Sequence, residues 1–116
     1  MAVSTLDGYI RIPAGAVLPA YVLVTAAGVV VAGAQVTKVH VGLTQEIASA
    51  VGKLVTLINP TGKYAKVLAN AAFAAGAALY YDANGAVGTT ATSNTQIGVA
   101  IDAATGAGSI VTVAFL

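Results

Sequence analysis

This 116-residue chain carries one histidine, four acidic and five basic side chains, so any catalytic or ligating site must be assembled from that short supply. His40 lies in the alternating run Lys38-Val39-His40-Val41. Alternation places Lys38 and His40 on one face of a strand and Val39 and Val41 on the other, which predicts a solvated imidazole. The acids Asp7, Glu46, Asp82 and Asp102 are far apart in sequence. Glu46 and Asp102 occupy matching places in an internal repeat, and paired carboxylates can do acid–base work or bind calcium. Both open Ser/Ala/Gly-rich loops, however, where an acid commonly accepts hydrogen bonds from turn amides. No serine has the Gly-x-Ser-x-Gly setting of an activated nucleophile. Gly85-Ala86-Val87-Gly88 and Gly106-Ala107-Gly108 are not phosphate loops, because no Lys-Ser/Thr and no helix start follows. With no cysteine there is neither a disulfide nor a thiolate metal site. The residues predict no catalytic site, no cofactor and no metal, and a protein that is not an enzyme.

The elements holding these residues are apolar to an unusual degree. Apolar side chains make up 58% of the chain and charged ones 8%, against about 25% charged in ordinary domains. So few charges cannot dress the whole exterior of a monomer, which predicts that copies of the chain or a partner cover part of it. The net charge of +1 is scattered. The densest basic stretch, Lys63-Tyr64-Ala65-Lys66, is too small for nucleic-acid binding, which needs clustered phosphate-neutralising groups. Ala14 to Val31 is mostly apolar and Ala32-Gly33-Ala34 mimics a signal-peptidase site. Even so, Asp7 offsets Arg11 ahead of it, Pro13, Gly15, Pro19 and Gly28 interrupt it, and its Val-rich runs favour strands. Neither export nor a membrane is expected.

The strongest organising signal is a repeat. Residues 41–58 align without a gap on residues 97–114, with Gly42 on Gly98, Glu46 on Asp102, Ala48 on Ala104, Gly52 on Gly108 and Val55-Thr56 on Val111-Thr112. Upstream, Ala14-Gly15-Ala16-Val17-Leu18 is paired with Ala75-Gly76-Ala77-Ala78-Leu79, and Thr25-Ala26-Ala27-Gly28 with Asp82-Ala83-Asn84-Gly85. The units span about 12–58 and 73–116 within a single β domain, residues 12–116, and residues 1–11 form an N-terminal arm. Each unit reads strand, turn, strand, turn, strand, as short β-branched runs bounded by Gly, Pro, Asn and Asp. Asn84-Gly85 signals a two-residue hairpin turn with positive φ at both positions. Gly42 and Gly98 fall inside strand-like runs, where glycine marks a bulge or a close backbone approach. An Ala-rich piece from Leu68 to Ala74 predicts one short helix. The expected fold is all-β, a small two-lobed barrel or clip with pseudo-twofold character.

The C-terminal half carries a resemblance. Ala75-Gly76-Ala77-Ala78-Leu79-Tyr80-Tyr81-Asp82-Ala83-Asn84-Gly85, then Ile97-Gly98-Val99-Ala100-Ile101-Asp102-Ala103-Ala104 and the closing Ile110-Val111-Thr112-Val113, resemble the short capsid decoration, or cement, proteins of tailed phages. The likeness covers residues 60–116 well and the first half loosely, and the closing strand lacks the basic residue often found there. It implies a β-clip or β-tulip domain that sits as a homotrimer on the outer capsid surface of the virion. Such a protein is made in the host cytoplasm and bridges subunits of the major capsid protein. It also implies an N-terminal arm reaching the shell, with contacts expected from Leu6, Tyr9, Ile10 and Arg11. A second reading, from Ile12-Pro13-Ala14-Gly15-Ala16-Val17-Leu18, is a clip-like accessory module binding sugar acids through Lys38, His40 and Lys53. A third is an extracellular adhesin or coat protein.

Overall fold

Strict alternation of buried and exposed side chains along the β-branched runs fixes which face of each strand turns inward. In Leu54–Ile58 the buried residues are Val55 and Leu57, and in Ile110–Phe115 they are Val111, Val113 and Phe115. A computed structural model describes residues 4–6, 9–33, 35–92 and 94–116. These form ten strands: β1 Ser4–Leu6, β2 Tyr9–Pro13, β3 Leu23–Val24, β4 Gly42–Thr44, β5 Leu54–Ile58, β6 Tyr64–Leu68, β7 Ala78–Tyr81, β8 Val87–Gly88, β9 Gln96–Ala100 and β10 Ile110–Phe115. They make two antiparallel five-stranded sheets, in the orders β1-β2-β5-β4-β3 and β6-β10-β9-β7-β8. The all-β expectation holds, and neither sheet closes into a barrel.

The two sheets repeat one design. Tyr9 to Pro13 pair with Ile58 to Leu54, and Tyr64 to Leu68 pair with Ala114 to Ile110 in the same register. Leu18 bridges Ala48 as Phe73 bridges Ala104. The Gly52 amide donates to the Ala14 carbonyl at 2.7 Å, as that of Gly108 does to Ala69 at 2.9 Å. The ungapped match of residues 41–58 with 97–114 is therefore a true structural register. Upstream the geometry pairs Ala14 with Ala69 and Leu18 with Phe73, in place of Ala75 and Leu79. Each structural repeat also begins earlier than expected, with β2 in one and β6 in the other.

No α-helix forms among the described residues, and the segment expected to be helical, Leu68 to Ala74, is extended. Four of its seven amides have distant partners. Leu68 donates to Tyr21 at 2.8 Å, Ala69 to Ser109 at 2.8 Å, Asn70 to Val87 at 2.9 Å and Phe73 to Ala104 at 3.1 Å. Long-range bonding and packing override the weak intrinsic preference of alanine. The one helical turn is a 3-10 turn at Ala83–Gly85, where the Asp82 carboxylate accepts from the Ala83 amide at 2.7 Å. Asn84 and Gly85 do have positive φ, 62° and 74°. The turn they make is longer than two residues, since it is the Asp82 amide that closes onto the Ala86 carbonyl.

Both glycines expected inside strands, Gly42 and Gly98, lie there and mark close approaches. A Cβ on Gly42 would lie 2.6 Å from Leu57 Cβ, and one on Gly98 would lie 2.6 Å from Val113 Cγ1. One buried cluster joins Leu23, Val31 and Leu43 of the first repeat to Val67, Leu79, Ile97 and Val113 of the second, so the repeats share a core. A second cluster, with Ile12, Leu18, Val55 and Leu57, lies within the first repeat.

Candidate functional site

The residues first singled out for chemistry are tied into the scaffold. His40 precedes β4 outside any strand, and it is half-buried where sequence alternation predicted a solvated residue. The Tyr81 hydroxyl, itself buried, accepts from the Val39 amide at 3.0 Å and the His40 amide at 3.2 Å, and it also meets His40 Nδ1. With both acceptor sites of the hydroxyl filled, its proton goes to Nδ1, which must then be unprotonated. Burial, and secondarily the Lys38 ammonium, hold the His40 pKa below its ordinary value. The Lys38 ammonium donates to the Leu116 carbonyl at 2.9 Å. Lys53 belongs to the turn in which its amide meets the Ala50 carbonyl, on the first sheet. The imidazole Nδ1 is therefore taken within the scaffold, and the exposed Lys38 ammonium spends one of its three donors there.

The two matched acids stand in loops of different repeats. Asp102 is exposed and accepts from the Thr112 amide at 3.0 Å, a residue of β10 and not a turn amide of its own loop, and Glu46 is exposed on the other repeat. No group of three or more metal-ligating side chains occurs among the described residues.

Of the expected arm, residues 4–6 and 9–11 lie in the first sheet of their own chain; residues 1–3 and 7–8 lie outside the described residues. Leu6 is opposite Tyr9, Thr5 opposite Ile10 and Ser4 opposite Arg11. Tyr9, Ile10 and Arg11 are in turn opposite Ile58, Leu57 and Thr56 of β5. Arg11 is exposed, and its Nε donates to Thr56 Oγ1 at 3.1 Å. Ile10 is half-buried against the cluster of the first repeat.

Sequence reasoning passed over a further surface. Val17, Ile47 and Val51 are 64%, 62% and 69% exposed in the loop pair fastened by the Leu18–Ala48 bridge. Their structural counterparts in the second repeat, Ala72, Ala103 and Ala107, are alanines. Large apolar side chains thus stand in water in this loop pair, with alanine at each of the three matching places of the second repeat.

A family model described as phage cement protein matches residues 14–115. The chain belongs to the phage cement protein family. Among solved structures, the cement protein resembles the head fiber gp8.5 N base of bacteriophage phi29, with a TM-score of 0.75 and 19% identity over 93% of this chain and 92% of that one. At that identity the likeness shows a shared fold. None of the curated protein sequences matches the chain.

Proposed function

We propose that this chain is a capsid decoration protein that binds the outer surface of the major capsid protein shell, as a homotrimer of β-tulip type, and stabilises the mature head. The observation carrying this reading is the family match across nearly the whole chain. The low charge and the exposed apolar end at Val17, Ile47 and Val51 support it, since both suit a surface covered in an assembly. The role is structural and not catalytic. Many symmetric copies bound to the intact shell, and not to its separated parts, stabilise the shell by mass action. The protein is made in the host cytoplasm and ends on the outside of the virion.

Leu6, Tyr9, Ile10 and Arg11 contribute shell contacts from the β1–β2 edge of the first sheet. In this division of labour Arg11 faces outward, while Ile10 anchors the strand from within. Because β2 is paired along its length with β5, removing residues 1–7 takes away β1 and leaves β2 in place.

The test is co-sedimentation of the purified chain with empty heads assembled from the major capsid protein encoded nearest to it. Saturable, near-stoichiometric binding that raises the melting temperature of the heads is expected. The chain lacking residues 1–7 should fold and bind more weakly; equal binding removes the β1–β2 edge from the interface. Absence of binding by the full chain to both immature and expanded heads refutes the decoration role.

A further inference from the structure

The internal repeat exposes a difference between two otherwise equivalent sheet edges. On the first sheet β1 covers the outer edge of β2, with Leu6 opposite Tyr9 and Ser4 opposite Arg11. The matching strand β6 is the outermost strand of the second sheet, paired on one side only. The ladder shows which groups are open. Ala69 donates to Ser109, and the Lys63 carbonyl accepts from Phe115. The alternation of an antiparallel pair therefore turns residues 63, 65, 67 and 69 toward β10 and residues 64, 66 and 68 away from it. The Leu68 amide is used by the Tyr21 carbonyl at 2.8 Å, which closes the edge at that end. The outward amides and carbonyls of Tyr64 and Lys66 have no main-chain partner among the described residues. Tyr64 is 75% exposed, so the approach is clear.

From this we infer that the β6 edge is a strand acceptor that takes an extended, acidic segment of the capsid shell, hydrogen-bonded to Tyr64 and Lys66. The inference rests on the shell-binding reading above. Strand addition gains main-chain bonds with little demand on sequence, leaving flanking side chains to choose the partner. Here the flanking charge has one sign: β6 and the turn before it carry Lys63 and Lys66 and no acid. Lysines on an edge strand oppose pairing with a second, identical edge, because like charges meet. The same lysines favour an occupant whose alternate side chains are carboxylates.

Three measurements test it. Hydrogen exchange on wild-type chain bound to heads should slow the Tyr64 and Lys66 amides by about tenfold or more, while Ala65 and Val67, already bonded to β10, stay unchanged. Unprotected Tyr64 and Lys66 in a chain that does co-sediment overturn the inference and leave the decoration role standing. Lys66→Pro deletes an outward donor without touching the ladder to β10. The fold tolerates proline in such a place, since Pro13 occupies the position matching Leu68. That variant should keep its melting temperature and lose about tenfold in head affinity; equal affinity counts against the edge. Finally, a short capped peptide of alternating Val and Glu should bind the free protein more tightly than its Val and Lys counterpart, and Lys66→Glu should reverse the order. This arm needs no heads, so it separates failure of the edge from failure of the decoration role. Equal binding of both peptides, or none, overturns the inference.

Discussion

Replacing Gly98 by alanine should destabilise the protein strongly, although the change adds one methyl group to a strand interior where alanine is ordinarily the better residue. The added Cβ would lie 2.6 Å from Val113 Cγ1 and 2.8 Å from the Ala114 carbonyl oxygen. Val113 is fully buried and has nowhere to rotate, and the carbonyl is held in β10, so the two strands must separate. Overpacking of this kind costs about 1–3 kcal/mol, and contact with backbone on one side places Gly98→Ala in the upper half of that range. At roughly 4 °C per kcal/mol for a chain of this size, the melting midpoint should fall by about 8–12 °C. Gly42→Ala, at the matching position, meets Leu57 Cβ at 2.6 Å and should behave alike. Gly106→Ala is the control. A Cβ there meets nothing within 4 Å and its φ is not positive, so stability should be unchanged or rise by up to about 1 kcal/mol. Thermal and urea unfolding of the three variants decides the matter. Wild-type stability in Gly42→Ala and Gly98→Ala would refute the claim that these glycines are there for close strand packing.

Other outcomes follow from the buried polar groups. Because His40 is held below its ordinary pKa, the unfolded chain takes up its proton first. Stability should be level above neutral pH and fall as pH drops through about 6.5, and His40→Gln should flatten that fall; an unaltered pH profile in the variant would show that His40 is not its source. Tyr81→Phe removes the acceptor of the Val39 and His40 amides and should cost about 1–3 kcal/mol in urea unfolding. Thr44→Val should cost a similar amount, since the fully buried Thr44 Oγ1 accepts from the Val22 amide at 3.0 Å and donates to the Pro19 carbonyl at 2.9 Å, whereas Thr44→Ser should stay near wild type.

What was legible in the sequence was whatever the backbone imposes locally. Gly42 and Gly98 could be placed inside strands and at close approaches because no other residue tolerates that crowding. The repeat was legible from 41–58 onto 97–114, where two glycines, an acid and a Val-Thr pair keep register. It was lost upstream because Tyr9-Ile10-Arg11-Ile12-Pro13-Ala14 and Tyr64-Ala65-Lys66-Val67-Leu68-Ala69 share only Tyr, a cation and Ala, while Ala/Gly-rich text aligns with itself in several frames. The first strand of each repeat was therefore hidden, and β2 read as part of an arm. The helix expected at Leu68 to Ala74 failed for a related reason: propensity is a local quantity, and four amides of that segment are claimed by partners as far away as Tyr21 and Ala104. The setting of His40 could not be read at all, since the hydroxyl that engages it lies 41 residues on.

The places where the two repeats differ are the places to look for function. Inward positions are matched in kind: Ile12 with Val67, Val55 with Val111, Leu57 with Val113, Ala48 with Ala104, all buried. Packing constrains both copies alike, so their interiors stay alike. Three of the differences between the repeats stand out. β1 covers one edge and β6 stays open. Val17, Ile47 and Val51 face Ala72, Ala103 and Ala107 across the repeat. Tyr80 and Tyr81, at a bulge in β7, have no counterpart between Val24 and Thr25, and Tyr81 uses its hydroxyl to fasten the 39–40 segment of the other repeat. A duplicated domain with two identical surfaces has no reason to dock one way up. A protein that must lay one side on a shell and leave another to solvent has to break its own symmetry on the outside while keeping it within. Substitutions at the unmatched outward positions Val17, Ile47 and Val51, and at Lys66 on the open edge, should therefore alter shell binding at nearly constant stability, whereas substitutions at the matched inward positions should lower stability first and binding only through it.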